Sequence, residues 1–255
     1  MTSLGEEIYL LRPKDVDQVE VYDVTSYLIL HWLTVPNAHR FTDMTSCKHF
    51  LCLYISDPFF RCIHRLDLQG NHSKWPVNDS PVGLSVSAGH NLIVTCRIVR
   101  KIKEFSPGGD LLREVTLPDD VIKPWHAIQL TNGQFIVCHG DDGDPIHRVC
   151  KVSEDGGHVI NLHGGQRGSC IGQYNVPRHL AVDDNETVYV ADVNNRRVTL
   201  LTPMLHYIRQ VVSPDQVTWE PRRLYLDVQR RRLYVADNEF ENGSYRAGRV
   251  VGFNV

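Results

Sequence analysis

The run from Val176 to Leu201, VPRHLAVDDNETVYVADVNNRRVTLL, limits what this chain can fold into more than any other stretch. His179 to Val182 and Thr187 to Asp192 read as two short strands joined by the turn-forming Asp183-Asp184-Asn185. Arg196 to Leu201 reads as a third strand after the tight Asn194-Asn195 turn. A single meander of this kind cannot cover both of its faces, so it needs neighbours built like itself.

Those neighbours are present. VYVAD at Val188 to Asp192 recurs as LYVAD at Leu233 to Asp237, and Pro221, Arg222 and Arg223 stand where Pro177, Arg178 and His179 stand. His126 precedes His139 by 13 residues, as His179 precedes Asp192; Gly83 to Cys96 and Asp43 to Ser56 keep the same spacing. Positions 43, 83, 126, 179 and 223 therefore lie 40, 43, 53 and 44 residues apart. A period in that range, with four strands per unit, predicts an all-β fold: a six-bladed β-propeller over residues 1–255 as a single domain. The spacing yields 22 strands where six full units need 24, so the first and last blades are expected to be incomplete. The first is expected to lack its innermost strand, because only seven residues precede Ile8, and the last its outermost.

Composition sets limits on function. The formal net charge is −3, which disfavours a DNA-binding surface spread over the whole chain. No apolar run reaches the roughly 20 residues of a membrane helix, and the acidic, interrupted N-terminus is unlike a signal peptide. Seven cysteines, scattered and without a CxxC pair, point to a reducing compartment and a cytoplasmic location. Four N-x-S/T triplets, at Asn71, Asn78, Asn185 and Asn242, are compatible with secretion but short enough to occur by chance.

GGQRGSCIGQYN followed by VPRHLAVDDNETVYVADVNNRRVTLL resembles an NHL repeat: glycine-rich lead, proline, small apolar strand, acidic turn, VYVAD and N-x-R-V. Trp219 to Phe253 resembles a second copy with an inserted loop, and together these cover about a third of the chain. The resemblance implies a six-bladed propeller of the kind found at the C-terminus of tripartite-motif proteins, where it binds RNA or protein. No RING, B-box or coiled-coil segment accompanies it here.

In a propeller, the linker into each inner strand and the loop between second and third strands share one face. That face is expected to gather Arg40, Lys123, Trp125, His126, Arg178, His179, Arg222 and Arg223. Arginine suits phosphate or carboxylate, and Trp125 is expected to offer a flat surface to a base or an aromatic side chain. The competing structural reading is that Arg196 and Arg197 tie one blade to the next through a carboxylate such as Asp192, and that Asp192 and Asp237 cap loop backbone. The expected function is a non-catalytic binding module for single-stranded RNA or a protein segment, without cofactor or metal, monomeric unless part of a longer chain. The alternative is a metal-dependent hydrolase or lyase using His126 and His179, which are expected to approach one another. No catalytic residue is assigned: G-x-S-x-G, P-loop and H-E-x-x-H motifs are absent. The peptidyl-hydroxyglycine amidating lyases, with similar propellers, carry a Pro-His step supplying zinc. Here Trp125, Arg178 and Arg222 follow those prolines, and histidine comes one place later at only two of them. DDGDP at Asp141 to Pro145 lacks EF-hand spacing and reads as a solvated loop.

Overall fold

The structure is a computed structural model that describes residues 1–11, 18–37, 41–217, 219–241 and 244–255, with backbone alone for 238–241 and 244–247. The fold is all-β: six antiparallel sheets follow one another along the chain as the blades of a six-bladed β-propeller. Sheet 1 holds β1 (Thr2–Leu4), β2 (Glu7–Leu11), β3 (Gln18–Asp23) and β4 (Ile29–Thr34). Sheet 2 holds β5 (Met44–Cys47), β6 (Cys52–Asp57), β7 (Cys62–Asp67) and β8 (His72–Pro76). Sheet 3 holds β9 (Pro81–Val86), β10 (Leu92–Cys96), β11 (Lys101–Phe105) and β12 (Leu111–Thr116). Sheet 4 holds β13 (Pro124–Gln129), β14 (Phe135–His139), β15 (Ile146–Val152) and β16 (Val159–Gln166). Sheet 5 holds β17 (Pro177–Val182), β18 (Val188–Asp192), β19 (Arg197–Leu201) and β20 (Tyr207–Val212). Sheet 6 holds β21 (Glu220–Asp227), β22 (Arg232–Glu241) and β23 (Ser244–Asn254).

The sixth sheet has three described strands, as the spacing predicts, but the first is not short of a strand. Thr2–Leu4 pairs with Glu7–Tyr9 through a turn in which Gly5 takes φ +58°. Glycine enters that conformation without steric cost, so seven residues suffice for an inner strand and its turn.

Two compact units divide the chain, Met1–Glu114 and Val115–Val255, with the boundary inside β12. In the first unit one core joins sheets 1 and 2 through Tyr9, Val19, Val21, Leu53, Ile55 and Leu66. A second joins sheets 2 and 3 through Tyr54, Ile63, Trp75, Leu92, Val94 and Phe105. The hairpin turn after β11 closes on Trp75: a Cβ at Gly109, where φ is +99°, would lie 2.6 Å from the indole. In the second unit Tyr189, Ala191, Val198, Leu224, Leu233 and Val235 join sheets 5 and 6.

The second strands of sheets 2 to 5 are buried along their whole length rather than on alternate residues: every residue of β6, β10, β14 and β18 is buried, whereas β2 buries only Ile8 and Tyr9. Each is flanked by strands within its sheet and covered on both faces, which favours unbroken apolar and β-branched runs. All seven cysteines are free and six are buried, where a thiol behaves as a small hydrophobe. Among the described residues no helix is long and apolar enough to cross a membrane.

Val188, Val190, Leu233 and Val235 are each 0% exposed, as the strand register predicts. Truncating Val190 to alanine is expected to lower the free energy of unfolding by about 2 kcal/mol, from lost burial plus the cavity left behind. Urea denaturation measures it; a mutant that unfolds with its parent would contradict the register.

Candidate functional site

Three inner strands begin on proline and a fourth has proline as its second residue, and each has the same irregularity just after the proline. In sheet 4, Pro124 pairs with His139 and His126 with Cys138, leaving Trp125 as an extra residue. In sheet 5, Pro177 pairs with Asp192 and His179 with Ala191, leaving Arg178. In sheet 6, Pro221 pairs with Asp237 and Arg223 with Ala236, leaving Arg222. Sheet 3 repeats the pattern with Pro81, Val82 and Gly83. Proline has no N–H to give to a ladder, so it is tolerated where a strand starts. The bulge that follows re-aims the next side chain. The residues that resume the ladder are therefore His126, His179 and Arg223, one place later than the proline step suggests.

Within the second unit three of these strand heads are brought together. The His126 and His179 rings stack with centroids 4.0 Å apart, and the Arg178 guanidinium lies 3.8 Å over the Trp125 ring. Trp125 is thus 8% exposed and covered by a cation, rather than the open platform expected of it. His179 Nδ1 accepts the Leu224 N–H at 3.3 Å, which ties sheet 5 to sheet 6 and leaves the ring's proton on Nε2 when it is neutral. In the first unit Asp43 makes the equivalent tie, accepting the Leu84 N–H at 2.8 Å.

The cations of the set differ in how far they are committed. Lys123 is exposed, with Nζ 2.8 Å from Asp144 Oδ1. Arg222 pairs with Glu220 and is mostly buried. Arg223 donates to the Arg222 carbonyl at 2.8 Å, and both Arg178 and Arg223 are part-exposed. Arg40 lies outside the described residues. Arg197 has the carboxylate partner foreseen for it, but within its own sheet: its Nε lies 2.8 Å from Asp192, and its other nitrogens donate to the carbonyls of Ser169, Cys170 and Gln173 in the connection leading into β17. Asp192 also accepts the Asn175 N–H at 2.7 Å, and Asp237 accepts the Trp219 N–H at 3.4 Å. In the acidic loop Asp144 Oδ2 accepts the Asp141 N–H at 2.9 Å, closing a turn rather than facing a cation site.

His147, in β15, is a residue that the sequence pattern did not single out. Its Nδ1 accepts the Val176 N–H at 2.7 Å and its Nε2 lies 3.0 Å from the Asp144 carbonyl. It thereby holds Val176 at φ +64°, a left-handed conformation unfavourable to a β-branched residue, directly before Pro177. Lys123, directly before Pro124, is held at φ +45°. Strained backbone of this kind persists only where its surroundings over-determine it, and it clusters at binding and catalytic sites.

Burial dominates the titrating groups around this rim. It pushes the Asp192 carboxyl up to about 6 against the donors that lower it. It raises the Cys138 thiol to about 12, which the nearby Arg223 and Arg178 only partly oppose. It lowers His139 to about 4, with the neighbouring Arg148 cation acting in the same direction.

No family model matches the chain, and no curated protein matches its sequence. Solved structures do match its fold. A protein of unknown function from Bacteroides caccae superposes with a TM-score of 0.70 at 12% identity, over 92% of this chain and 84% of that one. Kuenenia stuttgartiensis hydrazine synthase gives 0.69 at 12% identity, over 100% and 94%. Virginiamycin B lyase from Staphylococcus aureus gives 0.64 at 9% identity, over 99% and 83%. These likenesses define a β-propeller and leave the chemistry to be argued from the residues.

His139 sets a pH dependence whose sign follows from its depressed pKa. The unfolded chain takes up this proton near pH 6.5 and the folded one only near 4, so the stability that neutral His139 contributes is lost as pH falls across that window. The stability advantage of the parent over His139→Asn, measured by denaturation at a series of pH values, is expected to shrink from pH 6.5 to 4. A difference independent of pH would contradict the assignment.

Proposed function

We propose that this chain is a non-catalytic, NHL-like binding module of a reducing, cytoplasmic compartment. Its ligand is an anionic segment of single-stranded RNA or of protein, taken at the bulged strand heads of the second unit. The observation that carries this reading is the convergence of Trp125–His126, Arg178–His179 and Arg222–Arg223 through one repeated bulge. Arg178, spread flat on an indole, is pre-ordered at little further entropic cost, and its guanidinium edge is suited to two parallel hydrogen bonds with phosphate or carboxylate. Arg223 supplies a second part-exposed cation. Val176 and Lys123, both at positive φ, lie beside the same strand heads. The six buried free thiols support the reducing compartment.

The stacked His126–His179 pair favours one second reading, a metal-dependent lyase or hydrolase, because two imidazoles are half of a tetrahedral zinc site. Elemental analysis of the purified chain separates the two: stoichiometric zinc would favour the enzyme and overturn the binder.

The direct test is Arg178→Gln with Arg223→Gln, which removes both charges without placing a carboxylate beside Glu220. With circular dichroism unchanged, the variant is expected to bind a single-stranded oligoribonucleotide pool, or an acidic peptide, about 100-fold or more weakly, the scale of two charge-assisted hydrogen bonds. If the ligand is RNA, the slope of log affinity against log salt falls by about 0.7 for each phosphate contact removed. Binding that matches the parent's would place the site elsewhere.

A further inference from the structure

Two of the seven cysteines stand in a relation that the others lack. Cys47 ends β5 and Cys52 begins β6, and the ladder sets them directly opposite one another across the turn 48–51. Residues opposed in this way project to the same face and have Cα atoms about 4.5 or 5.5 Å apart, inside the roughly 4.4–6.8 Å that a disulfide spans. Among the described residues, the ladder partners of Cys62, Cys96, Cys138 and Cys150 are all residues of other types. Cys47 and Cys52 both belong to the core that joins sheets 2 and 3 and are both buried. They are nevertheless the last rung before an exposed tip, Lys48, His49, Phe50 and Leu51. A terminal rung opens at lower cost than the body of a strand, which gives a small reagent access without unfolding the sheet.

The surroundings of Cys52 suit a thiolate. Tyr54 shares its face of β6, and Arg65 lies opposite Tyr54 in the next ladder. Tyr54 Oη and Arg65 Nε are buried without a hydrogen-bond partner. Burial pushes the Cys52 thiol up, and the Tyr54 hydroxyl and then the Arg65 guanidinium pull against it. Buried donors without partners are rare in folded proteins, and a sulfur anion beside these two would satisfy them.

We propose that Cys47 and Cys52 form a reversible dithiol–disulfide site, oxidised by a low-molecular-weight disulfide. The structure holds the couple in its reduced form, with both thiols free. Cys52, as thiolate, attacks one sulfur of the small disulfide, which forms a mixed disulfide and releases one thiol. Cys47 then loses its proton and attacks the Cys52 sulfur, closing the protein disulfide and releasing the second thiol. Two electrons and two protons leave the protein, and the reagent departs as two thiols. Closure fastens the base of a tip that reaches the next sheet. His49 stacks on His90 with ring centroids 4.2 Å apart, and the Phe50 ring stands edge-on to both. The redox state of the pair thus sets how firmly this contact between sheets 2 and 3 is held.

Equilibrating the full chain in a series of oxidised and reduced glutathione mixtures, followed by acid quench, alkylation and peptide mass mapping, tests this. A disulfide between Cys47 and Cys52 is expected to appear as the mixture becomes more oxidising, with circular dichroism unchanged, and to be reversed by added dithiol. In Cys47→Ala the second step is lost, so glutathione is expected to accumulate on Cys52 to at least about 10-fold its level in the parent. The exposed Cys170 serves as the internal standard for reaction with glutathione. Three results overturn the proposal. Cys47 and Cys52 could stay fully alkylatable in mixtures that modify Cys170. Either could be joined to a different cysteine. The disulfide could form only once urea has unfolded the chain.

Discussion

Proline at the head of an inner strand has nothing to donate, and this small deficit organises the second unit. The proline lies opposite a partner at or next to the start of the ladder, the following residue is left over as a bulge, and the one after it resumes pairing. Because the same step occurs at Pro124, Pro177 and Pro221, three pairs of side chains are delivered to equivalent places on successive sheets. The bulged residues and their neighbours then meet across sheets: Arg178 on Trp125, His126 on His179, and His179 on the Leu224 N–H. Contacts that lock the sheets together and groups suited to a ligand are thus the same residues.

Charge at this rim is sorted rather than spread. Asp192, at the end of β18, and Asp237, midway along β22, hold loop backbone and engage Arg197 and Arg249. Glu220 and Asp144 engage Arg222 and Lys123. Arg178, Arg222 and Arg223 are part-exposed at the strand heads that carry the buried His126 and His179. Under the proposed function, recognition of an anion by so few groups would rely on their being held in place, by stacking, by the His147 tie and by the backbone at Val176, more than on net charge.

Much of the fold was legible because its signal is local. VYVAD, LYVAD and the 13-residue spacing from His179 to Asp192 each lie within a single hairpin, and the meeting of His126 with His179 was legible because the repeat sets them in equivalent slots of successive sheets. β1 was missed because three residues carry no readable alternation and its turn depends on the backbone of Gly5. The burial of Trp125 was not legible, since the cation that covers it stands 53 residues further along the chain. His147 was overlooked for the same reason: its partner Val176 is 29 residues away, and nothing in HRV marks that histidine as a clamp.

The central claim, that bulge residues of successive sheets are in direct contact, is tested most directly by a double-mutant cycle on Trp125→Leu and Arg178→Met, with unfolding free energy as the readout. A guanidinium stacked 3.8 Å over an indole predicts a favourable coupling of roughly 0.5–1 kcal/mol. Strictly additive effects of the two substitutions would contradict the account.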